Sequence, residues 1–442
     1  MLNTIAQLIL SLSILIVLHE LGHFIPAKAF KTRVEKFYLF FDPWFSIFKK
    51  KIGGTEYGIG WLPLGGYVKI SGMVDESMDT EKLKEPAKPW EFRSKPAWQR
   101  LIIMVGGVTV NVILAFFIYA MVLFAWGKEY IPMENLAYGV HADSLMLKNG
   151  FQHGDKILKV GDVYPETIND VNKEVLFGDV RKIEIERDGQ TKTIQLPEDI
   201  DQQMLASGVQ SIFSYRYPAI IDTIIKGSNA DSLNLVKRGD KVLELNGKEI
   251  NSYPQFEEII YRARGTTVDL VIERNGNKIN VQAPVDSANG LGVYSFPQKH
   301  LDSKTLKYGF FESFPAGVSE GTNTLVSYVR SLKLIFSEQG VKQVGGFGTI
   351  AGLFGESWNW QRFWTMTALL SIILAVMNLL PIPALDGGHV MFLLYEMISG
   401  RAPNQKILEY AQLVGFAILI TLLLYANGND VVKSDWFQNW LG

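Results

Sequence analysis

The sequence predicts a multi-pass α-helical membrane protein with four transmembrane helices, two inserted α+β domains and a β-hairpin. Three observations support this fold class. Four stretches of about 20 residues are almost free of charge. The polar region between the second and the third of these stretches contains an internal sequence repeat. A glycine-rich segment alternates apolar with polar residues. A helix needs about 20 apolar residues to cross a bilayer, so each stretch is long enough.

The overall composition excludes several classes of protein and site. The chain has 442 residues, of which 48% are hydrophobic and 20% charged, and its formal net charge is −2. This balance excludes a generally basic nucleic-acid-binding protein. The sequence has no cysteine, so disulfides, thiolate zinc sites and cysteine nucleophiles are excluded as well. A metal ion would have to be bound by histidine, aspartate or glutamate.

The four predicted transmembrane helices cover 1–27, 101–127, 363–385 and 408–428. Tryptophan and tyrosine cluster near their ends, as is typical of side chains at a membrane–water interface. The first stretch lacks a basic start and a small-residue cleavage site, so we expect a retained helix rather than a cleaved signal peptide. A tail follows the fourth helix at 429–442.

The distribution of lysine and arginine predicts the orientation in the membrane. The loop 28–100 includes a run of three lysines at 49–51 and further basic residues, whereas none precedes the first helix. Because basic residues are enriched in cytoplasmic loops, we place 28–100 in the cytoplasm and 128–362 outside. The short loop 386–409 is then cytoplasmic.

The polar region 128–300 contains two copies of one small domain. The residues Gly-Asp-Lys-Ile-Leu at 154–158 return as Gly-Asp-Lys-Val-Leu at 239–243, and Glu-Arg-Asp-Gly returns as Glu-Arg-Asn-Gly about 87 residues later. We assign the copies to 128–210 and 211–300. The order of these motifs resembles a PDZ domain, which binds an extended peptide at a sheet edge. A packed spacer without a ligand is the alternative.

The most specific motif is His19-Glu20-Leu21-Gly22-His23. On a helix, His19 and His23 lie one turn apart on the same face, so both imidazoles can reach one metal ion. Glu20 lies beside them and can act on a water molecule at the metal. A carboxylate inside a transmembrane helix costs roughly 2.5–3.5 kcal/mol to insert, which favours a functional role. The alternative is a polar helix end in the headgroup region.

Catalytic zinc commonly has three protein ligands, so a third residue must come from elsewhere in the chain. Asp386 is the best candidate, because the first and third helices both run inwards and bring it to the depth of the histidines. His389, one turn further along, is the rival. The remaining histidines are expected at the surface: His141, His153 and His300.

These motifs resemble those of the site-2 protease family of intramembrane zinc metalloproteases, in its bacterial branch with tandem PDZ domains. The resemblance rests on the His-Glu-Leu-Gly-His motif, on Asn-x-x-Pro-x-Pro-x-Leu-Asp-Gly-Gly at 378–388, on the PDZ-like pair and on the four-helix layout. It implies that Zn²⁺ is bound by His19, His23 and Asp386. It also implies that Glu20 is the catalytic base or acid.

The resemblance further implies a substrate class and a location. Members of this family cleave transmembrane segments of single-span membrane proteins, such as anti-sigma factors or remnant signal peptides, after another protease has trimmed them. We therefore expect a bacterial inner-membrane protein in contact with lipid, with PDZ-like domains outside the cytoplasm and an active site toward the cytoplasm. No nucleic-acid partner is expected. A metal-binding membrane transporter and a non-catalytic PDZ scaffold are the alternatives.

Four polar or proline residues of the helices are candidates for the substrate groove. By resemblance, Asn378, Pro381 and Pro383 shape it. Asn111 can donate a hydrogen bond to substrate or to an oxyanion, or else join two helices. The family usually has Gly-Pro ahead of this asparagine, where this chain has Gly106-Gly107-Val108, so the family's helix geometry near Asn111 is not assumed for this chain.

Two segments outside the helices complete the sequence assignment. Residues 52–73, with Gly65 and Gly66, are predicted to form a β-hairpin, which is membrane-associated in the family. It either holds an unwound substrate by strand addition or is an interfacial loop. The linker 301–362 is predicted to contain an amphipathic helix at 316–338, and it also lacks a Gly-Pro that the family has.

Overall fold

The computed structural model describes residues 2–63, 65–73, 86–178, 180–207, 211–287, 290–335 and 344–433. The chain divides into two compact units. We call them the membrane unit, which consists of Met1–Gly127, Lys307–Lys333 and Lys342–Gly442, and the inserted unit, which contains Lys128–Leu306.

Four of the helices have the properties of transmembrane helices. In chain order, the helices are α1 Leu2–Ala29, α2 Ala97–Trp126, α3 Ser144–Lys148, α4 Ile168–Phe177, α5 Ile200–Ser207, α6 Asn229–Ser232, α7 Tyr253–Arg262, α8 Phe310–Ile335, α9 Phe347–Gly352, α10 Trp360–Leu379, α11 Asp386–Ser399 and α12 Gln405–Lys433. Among them, α1, α2, α10 and α12 are long and apolar enough to cross a membrane. The structure therefore contains the four long apolar helices that the sequence predicts.

The third of these helices ends earlier than predicted. α10 stops at Leu379, because Pro381 and Pro383 lack a main-chain N–H and restrict the residues before them. The chain turns through Ala384, whose φ of 75° lies in the left-handed region, and α11 begins at Asp386. The predicted helix through 385 is therefore wrong at its end. The carboxylate lies at the start of a new helix.

The linker and the tail agree with the prediction in type but differ in extent. The predicted amphipathic helix corresponds to α8, which begins at Phe310. Residues 336–338 of that prediction lie outside the described residues, as do 434–442 of the predicted tail. The described part of the tail continues α12 to Lys433.

The strands form one sheet in the membrane unit and several in the inserted unit. In chain order they are β1 Val34–Leu39, β2 Phe41–Ile52, β3 Thr55–Leu62, β4 Tyr67–Ile70, β5 Lys128–Tyr130, β6 Val140–Ala142, β7 Lys156–Val160, β8 Lys182–Arg187, β9 Gln190–Gln195, β10 Phe213–Tyr215, β11 Thr223–Ile224, β12 Lys241–Leu245, β13 Lys248–Glu249, β14 Thr267–Arg274, β15 Asn277–Pro284, β16 Val293–Tyr294 and β17 Lys304–Leu306.

The sheet of the membrane unit does not contain the hairpin predicted at 52–73, so that prediction is wrong. Its strand order is β2-β3-β1-β4, so β1 separates β3 from β4. β1 pairs in parallel with β3 and antiparallel with β4. The hairpin of this sheet is β2–β3 instead, closed by Gly53 and Gly54 with φ of 58° and 87°. The glycine pair identified a turn, but the turn joins β3 to the strand before it.

The inserted unit contains the two repeats with shifted boundaries. β10 pairs with β6, so the first repeat continues to Tyr215 rather than ending at 210. β17 pairs with β5, so the unit closes at Leu306 rather than 300. The chain therefore enters and leaves the inserted unit on neighbouring strands. The resemblance of the repeats to PDZ domains stays a prediction.

Each repeat contains the same buried ion pair, formed by the residues that repeat in sequence. Arg187 makes two hydrogen bonds of 2.7 Å to the carboxylate of Asp155. Arg274 bonds Asp240 in the same way, at 2.8 and 2.7 Å. Both aspartates are 1% exposed. The Gly-Asp and Glu-Arg motifs therefore mark one structural contact that ties β8 and β14 to the loops before β7 and β12.

In each repeat, a side chain forms hydrogen bonds with main-chain groups of one outer strand, β10 in the first and β16 in the second. In the first, the carboxamide of Asn172 accepts a hydrogen bond from the N–H of Phe213 at 3.1 Å and donates one to its carbonyl oxygen at 3.0 Å. In the second, the hydroxyl of Tyr253 donates to the carbonyl oxygen of Val293 at 3.1 Å. Both strands therefore have main-chain groups that are already bonded within the repeat.

Candidate metal centre

Two histidines of α1 lie on one face of the helix, one turn apart. The Nε2 atoms of His19 and His23 are 3.3 Å from each other, and the residues are 8% and 6% exposed. The i, i+4 spacing places both rings on the same side. Two imidazole nitrogens this close, in a buried site, need a proton or a cation between them.

Asp386 completes a group of three possible ligands. Its Oδ2 atom lies 3.3 Å from Nε2 of His19 and 3.3 Å from Nε2 of His23. The three ligand atoms lie within 4.8 Å of one another, and the described residues contain no other such group. Buried Oδ2 has no hydrogen-bond partner, so it is free to bind a cation. Two imidazoles and one carboxylate are a ligand set of catalytic zinc, which the site therefore fits.

The turn between α10 and α11 brings Asp386 to α1. Gly387 permits the tight turn, because a Cβ atom there would collide with the carbonyl oxygen of Leu380. Asn378 lies in the last turn of α10, and its Nδ2 atom is 3.2 Å from Nε2 of His19. This turn therefore supplies both a carboxylate and an amide to the centre.

Helix α2 packs against both histidines and contacts their Nδ1 atoms. Nδ1 of His23 is 2.8 Å from the main-chain oxygen of Ile103, and Nδ1 of His19 is 3.2 Å from Nδ2 of Asn111. Gly107 lies midway between these two positions of α2. A Cβ atom at Gly107 would collide with His23 Nε2 and with the His19 ring. Glycine therefore allows α2 to approach the centre closely.

Glu20 lies beside the three ligands and against β4. Its carboxylate lies next to the main chain of Val68. A Cβ atom at Gly66 would lie 3.7 Å from Glu20 Cγ and 2.5 Å from Ile16 Cγ2, so glycine lets the sheet approach α1 here. β4 is one of the two outer strands of its sheet. The sheet therefore presents an edge at the carboxylate.

This geometry agrees with a comparison against protein-family models. The model of peptidase family M50 matches residues 7–422, nearly the whole chain. The chain belongs to this family. The resemblance to site-2 proteases that the sequence motifs predicted is thereby confirmed.

Individual relatives of this M50 chain are similar over their full lengths. A Treponema pallidum protein named "Putative zinc metalloprotease" is 28% identical over 442 residues, which cover 95% of this chain and 97% of the relative. The regulator of sigma E protease of Haemophilus influenzae is 27% identical over 453 residues, which cover 97% and 99%. The similarity therefore includes both the membrane unit and the inserted unit.

The other histidines of the M50 chain lie outside the cluster. His389, the rival third ligand, is hydrogen-bonded to Gln412 at 3.1 Å through Nε2. In the inserted unit, the ring of His141 stacks on that of His153 with centroids 4.2 Å apart, and His300 Nε2 lies 3.0 Å from Asp222. His141 is only 7% exposed, so the expectation of a surface histidine is wrong for this residue.

The candidates for substrate binding occupy different surroundings. Asn378 faces the ligand atoms, whereas Asn111 is 0% exposed and lies behind His19. Pro381 is exposed in the turn before α11, and Pro383 packs its carbonyl against Gly415 of α12. The ring of Phe41 fills the space beside Gly65. Their roles in substrate binding stay predictions.

Sequence reasoning missed the part that α2 plays in the centre. The carbonyl of Ile103 has no signature, because every residue carries the same main-chain group. Gly107 offered a signal: glycine in the middle of an apolar helix often marks a close approach of another helix. The adjacent Gly106 makes such an approach, since a Cβ atom there would collide with the carbonyl of Gly22.

Proposed function

We propose that this protein is a zinc-dependent intramembrane endopeptidase that cleaves transmembrane segments of single-span membrane proteins. The observation that carries the proposal is the cluster of His19, His23 and Asp386 with Glu20 beside it. The two histidines and Glu20 lie on α1, which is long and apolar enough to cross a membrane, and Asp386 begins α11 just after α10, which is as well. The family match and the names of the relatives support a zinc peptidase. Glu20 would have no assigned role in a transporter that only bound metal.

The chemistry divides between the metal and the side chains. Bound by the three ligands, zinc supplies Lewis-acid chemistry that activates water and a peptide carbonyl. The Glu20 carboxylate accepts the proton of the attacking water as the C–O bond forms. It then donates that proton to the amide nitrogen as the C–N bond breaks. The amide of Asn378 is close enough to the ligands to donate a hydrogen bond to the carbonyl oxygen that becomes negative.

The substrate must be extended where it is cleaved, because a helix hides its peptide bonds. The outer edge of β4 supports a way of holding such a segment, since strand addition satisfies main-chain groups along the edge. Glu20 contacts this strand through Val68. A peptide on β4 would therefore run past the proposed base.

The charge distribution supports the location that we propose. With 28–100 in the cytoplasm, the centre opens toward the cytoplasmic side of a bacterial inner membrane and the repeats lie outside it. The repeats would then admit substrates whose outer domains another protease has removed. The Haemophilus influenzae relative is named a regulator of sigma E protease, which supports a regulatory role for cleavage by such proteins.

A cleavage assay with a Glu20→Gln variant tests the proposal. The purified protein is reconstituted in liposomes with a trimmed single-span membrane protein, and product is quantified by gel and mass spectrometry. We expect loss of cleavage by about 100-fold or more, because amide cannot accept the proton. Glu186→Gln, which changes an exposed carboxylate of β8, is the matched control and should cleave normally. Equal cleavage by wild type and Glu20→Gln would contradict the proposal.

A further inference from the structure

Asn111 has an unusual position for a polar residue of a transmembrane helix. It is 0% exposed, and its Nδ2 atom lies 3.2 Å from Nδ1 of His19. Its Oδ1 atom is buried without a hydrogen-bond partner. Such an unsatisfied carbonyl oxygen is costly in an apolar environment. Which atom of this amide faces His19 is therefore the point to decide.

The chemistry of the imidazole determines which atom of the amide faces His19. Nε2 of His19 points at Oδ2 of Asp386 and is the atom placed to bind a cation. A neutral imidazole that binds through Nε2 carries its proton on Nδ1. Nδ1 is then a donor and needs an acceptor opposite it. The oxygen of Asn111 can be that acceptor, because a half-turn of the amide exchanges its oxygen and nitrogen. The same half-turn gives Oδ1 a partner and moves Nδ2 to the position where Oδ1 has none.

Helix α2 treats the second histidine in the same manner. Nδ1 of His23 has an acceptor 2.8 Å away in the carbonyl of Ile103. Ile103, Gly107 and Asn111 are spaced by four residues and lie along one face of α2. That face therefore supplies two acceptors, one for each Nδ1, with a glycine between them where the helices come closest.

A hydrogen bond from α10 holds Asn111 at this height. The hydroxyl of Ser371 donates to the main-chain oxygen of Asn111 at 2.7 Å. One turn away, Thr367 donates to Ser11 of α1 at 2.9 Å. All of these residues are 0% exposed. The axial position of α2 against α1 and α10 is thus set by polar contacts next to the centre.

We propose that Asn111 is a positioning residue for the metal and not a contact for the substrate. Its side-chain oxygen accepts the Nδ1 proton of His19 and so keeps Nε2 available as a ligand. The inference deepens the proposed function, because it rests on zinc binding at the three ligands. It replaces the sequence-based expectation of a hydrogen bond to substrate or oxyanion.

Zinc affinity, measured without any substrate, tests this assignment. Wild type, Asn111→Leu, Asn111→Asp, Thr109→Val and Asp386→Ala are titrated with Zn²⁺ against a chromogenic chelator in detergent. Thr109 is exposed on the same helix, so Thr109→Val is the matched control. Thermal unfolding of the metal-free variants shows whether each one is folded.

The expected pattern follows from which variants retain an acceptor. Asn111→Leu has the same size but no oxygen, and we expect its zinc affinity to fall about 10–100-fold. Asn111→Asp keeps an oxygen opposite Nδ1 and should bind zinc at least as tightly as wild type. Thr109→Val should not change the affinity, and Asp386→Ala should give the weakest binding. Rescue by aspartate distinguishes positioning of His19 from simple packing of α2.

Three outcomes would overturn the assignment. Wild-type zinc affinity in Asn111→Leu, with a raised KM in the cleavage assay, would make Asn111 a substrate contact. Equal loss in the leucine and aspartate variants would show that only packing at this position matters. A wild-type protein that binds no zinc would overturn the proposed function and this inference together, whereas the first two outcomes leave the proposed function intact.

Discussion

The six histidines show how the partner of a side chain decides its role. His19 and His23 share a carboxylate oxygen that lies 3.3 Å from both. His141 and His153 instead stack face to face, and the nearest carboxylate oxygen to His141 Nε2 is 4.0 Å away. The first arrangement favours a cation between the groups. The second favours two neutral rings, because a proton on either would be poorly compensated.

Acid should weaken the structure around His141. Burial, and then the nearby His153 and Arg216, lower the pKa of His141 to about 4. In the unfolded chain the imidazole of His141 has a pKa of about 6.5. Unfolding is therefore accompanied by uptake of a proton once the pH falls below that value. Stability is therefore full above pH 6.5 and declines as the pH falls toward 4. The loss should be about 2 kcal/mol by pH 5.

Hydrogen exchange of β6, corrected for the intrinsic pH dependence of exchange, measures this loss. His141→Gln cannot be protonated and should show much less change between pH 7 and pH 5 than wild type. His300→Gln, at a histidine paired with Asp222, is the control and should keep the wild-type response. An undiminished loss in His141→Gln would assign the acid sensitivity to another group.

At the scale of elements, the repeated sequence motifs correspond to a repeated contact. In the first repeat, buried Asp155 in the loop before β7 pairs with Arg187 at the end of β8. In the second repeat, buried Asp240 in the loop before β12 pairs with Arg274 at the end of β14. The carboxylates are almost inaccessible to water, whereas the guanidinium groups keep some contact with it. Losing the arginine should therefore be worse than losing an exposed ion pair.

Arg274→Leu should destabilise the second repeat by about 3 kcal/mol, because it leaves Asp240 charged and buried without its partner. The matched control is Arg262→Leu, which removes an exposed i, i+4 pair with Glu258 in α7. That change should cost below about 1 kcal/mol. Denaturant unfolding of the full protein, followed by hydrogen exchange of β14 and β15, compares them. Similar losses in the two variants would refute the buried-pair argument.

The sequence predicted the elements of the centre better than their contacts. Helical spacing identified His19 and His23, and matching membrane depth identified Asp386. The acceptor at Ile103 was beyond reach, because a main-chain carbonyl gains its role only from the antiparallel fit of α1 and α2. The hairpin at 52–73 failed for a similar reason. Alternation located strands, but nothing local showed that β1 would lie between β3 and β4.

At the scale of the whole molecule, the centre joins distant parts of the chain. α1 and α11 are separated by more than half of the sequence, yet both belong to the membrane unit. The inserted unit interrupts that unit between α2 and α8. Because β5 and β17 pair, the interruption begins and ends at one place. Because the inserted unit begins and ends at adjacent strands, the helices of the membrane unit can pack around the centre without it.

The predicted orientation can be measured with introduced cysteines, since the sequence has none. Lys50 lies on β2 and Lys226 in the inserted unit, and both are exposed. Lys226→Cys should react with a membrane-impermeant maleimide in cells whose outer membrane has been permeabilised. Lys50→Cys should react only after the inner membrane is opened. The reverse pattern would invert the orientation that the basic residues predict.

The capped edges of the repeats affect any recruitment of peptides from outside. A carboxamide carries the same donor and acceptor as a peptide group, so Asn172 occupies the place of a neighbouring strand beside Phe213. A peptide that adds to this edge would first have to break the hydrogen bonds between Asn172 and Phe213. Each 1.4 kcal/mol of free energy that this costs lowers the affinity for the peptide about tenfold. The same competition protects the exposed edge against pairing between neighbouring copies, a route to aggregation in β-proteins. The Asn172 side chain would thus contribute to selecting which peptides bind the first repeat.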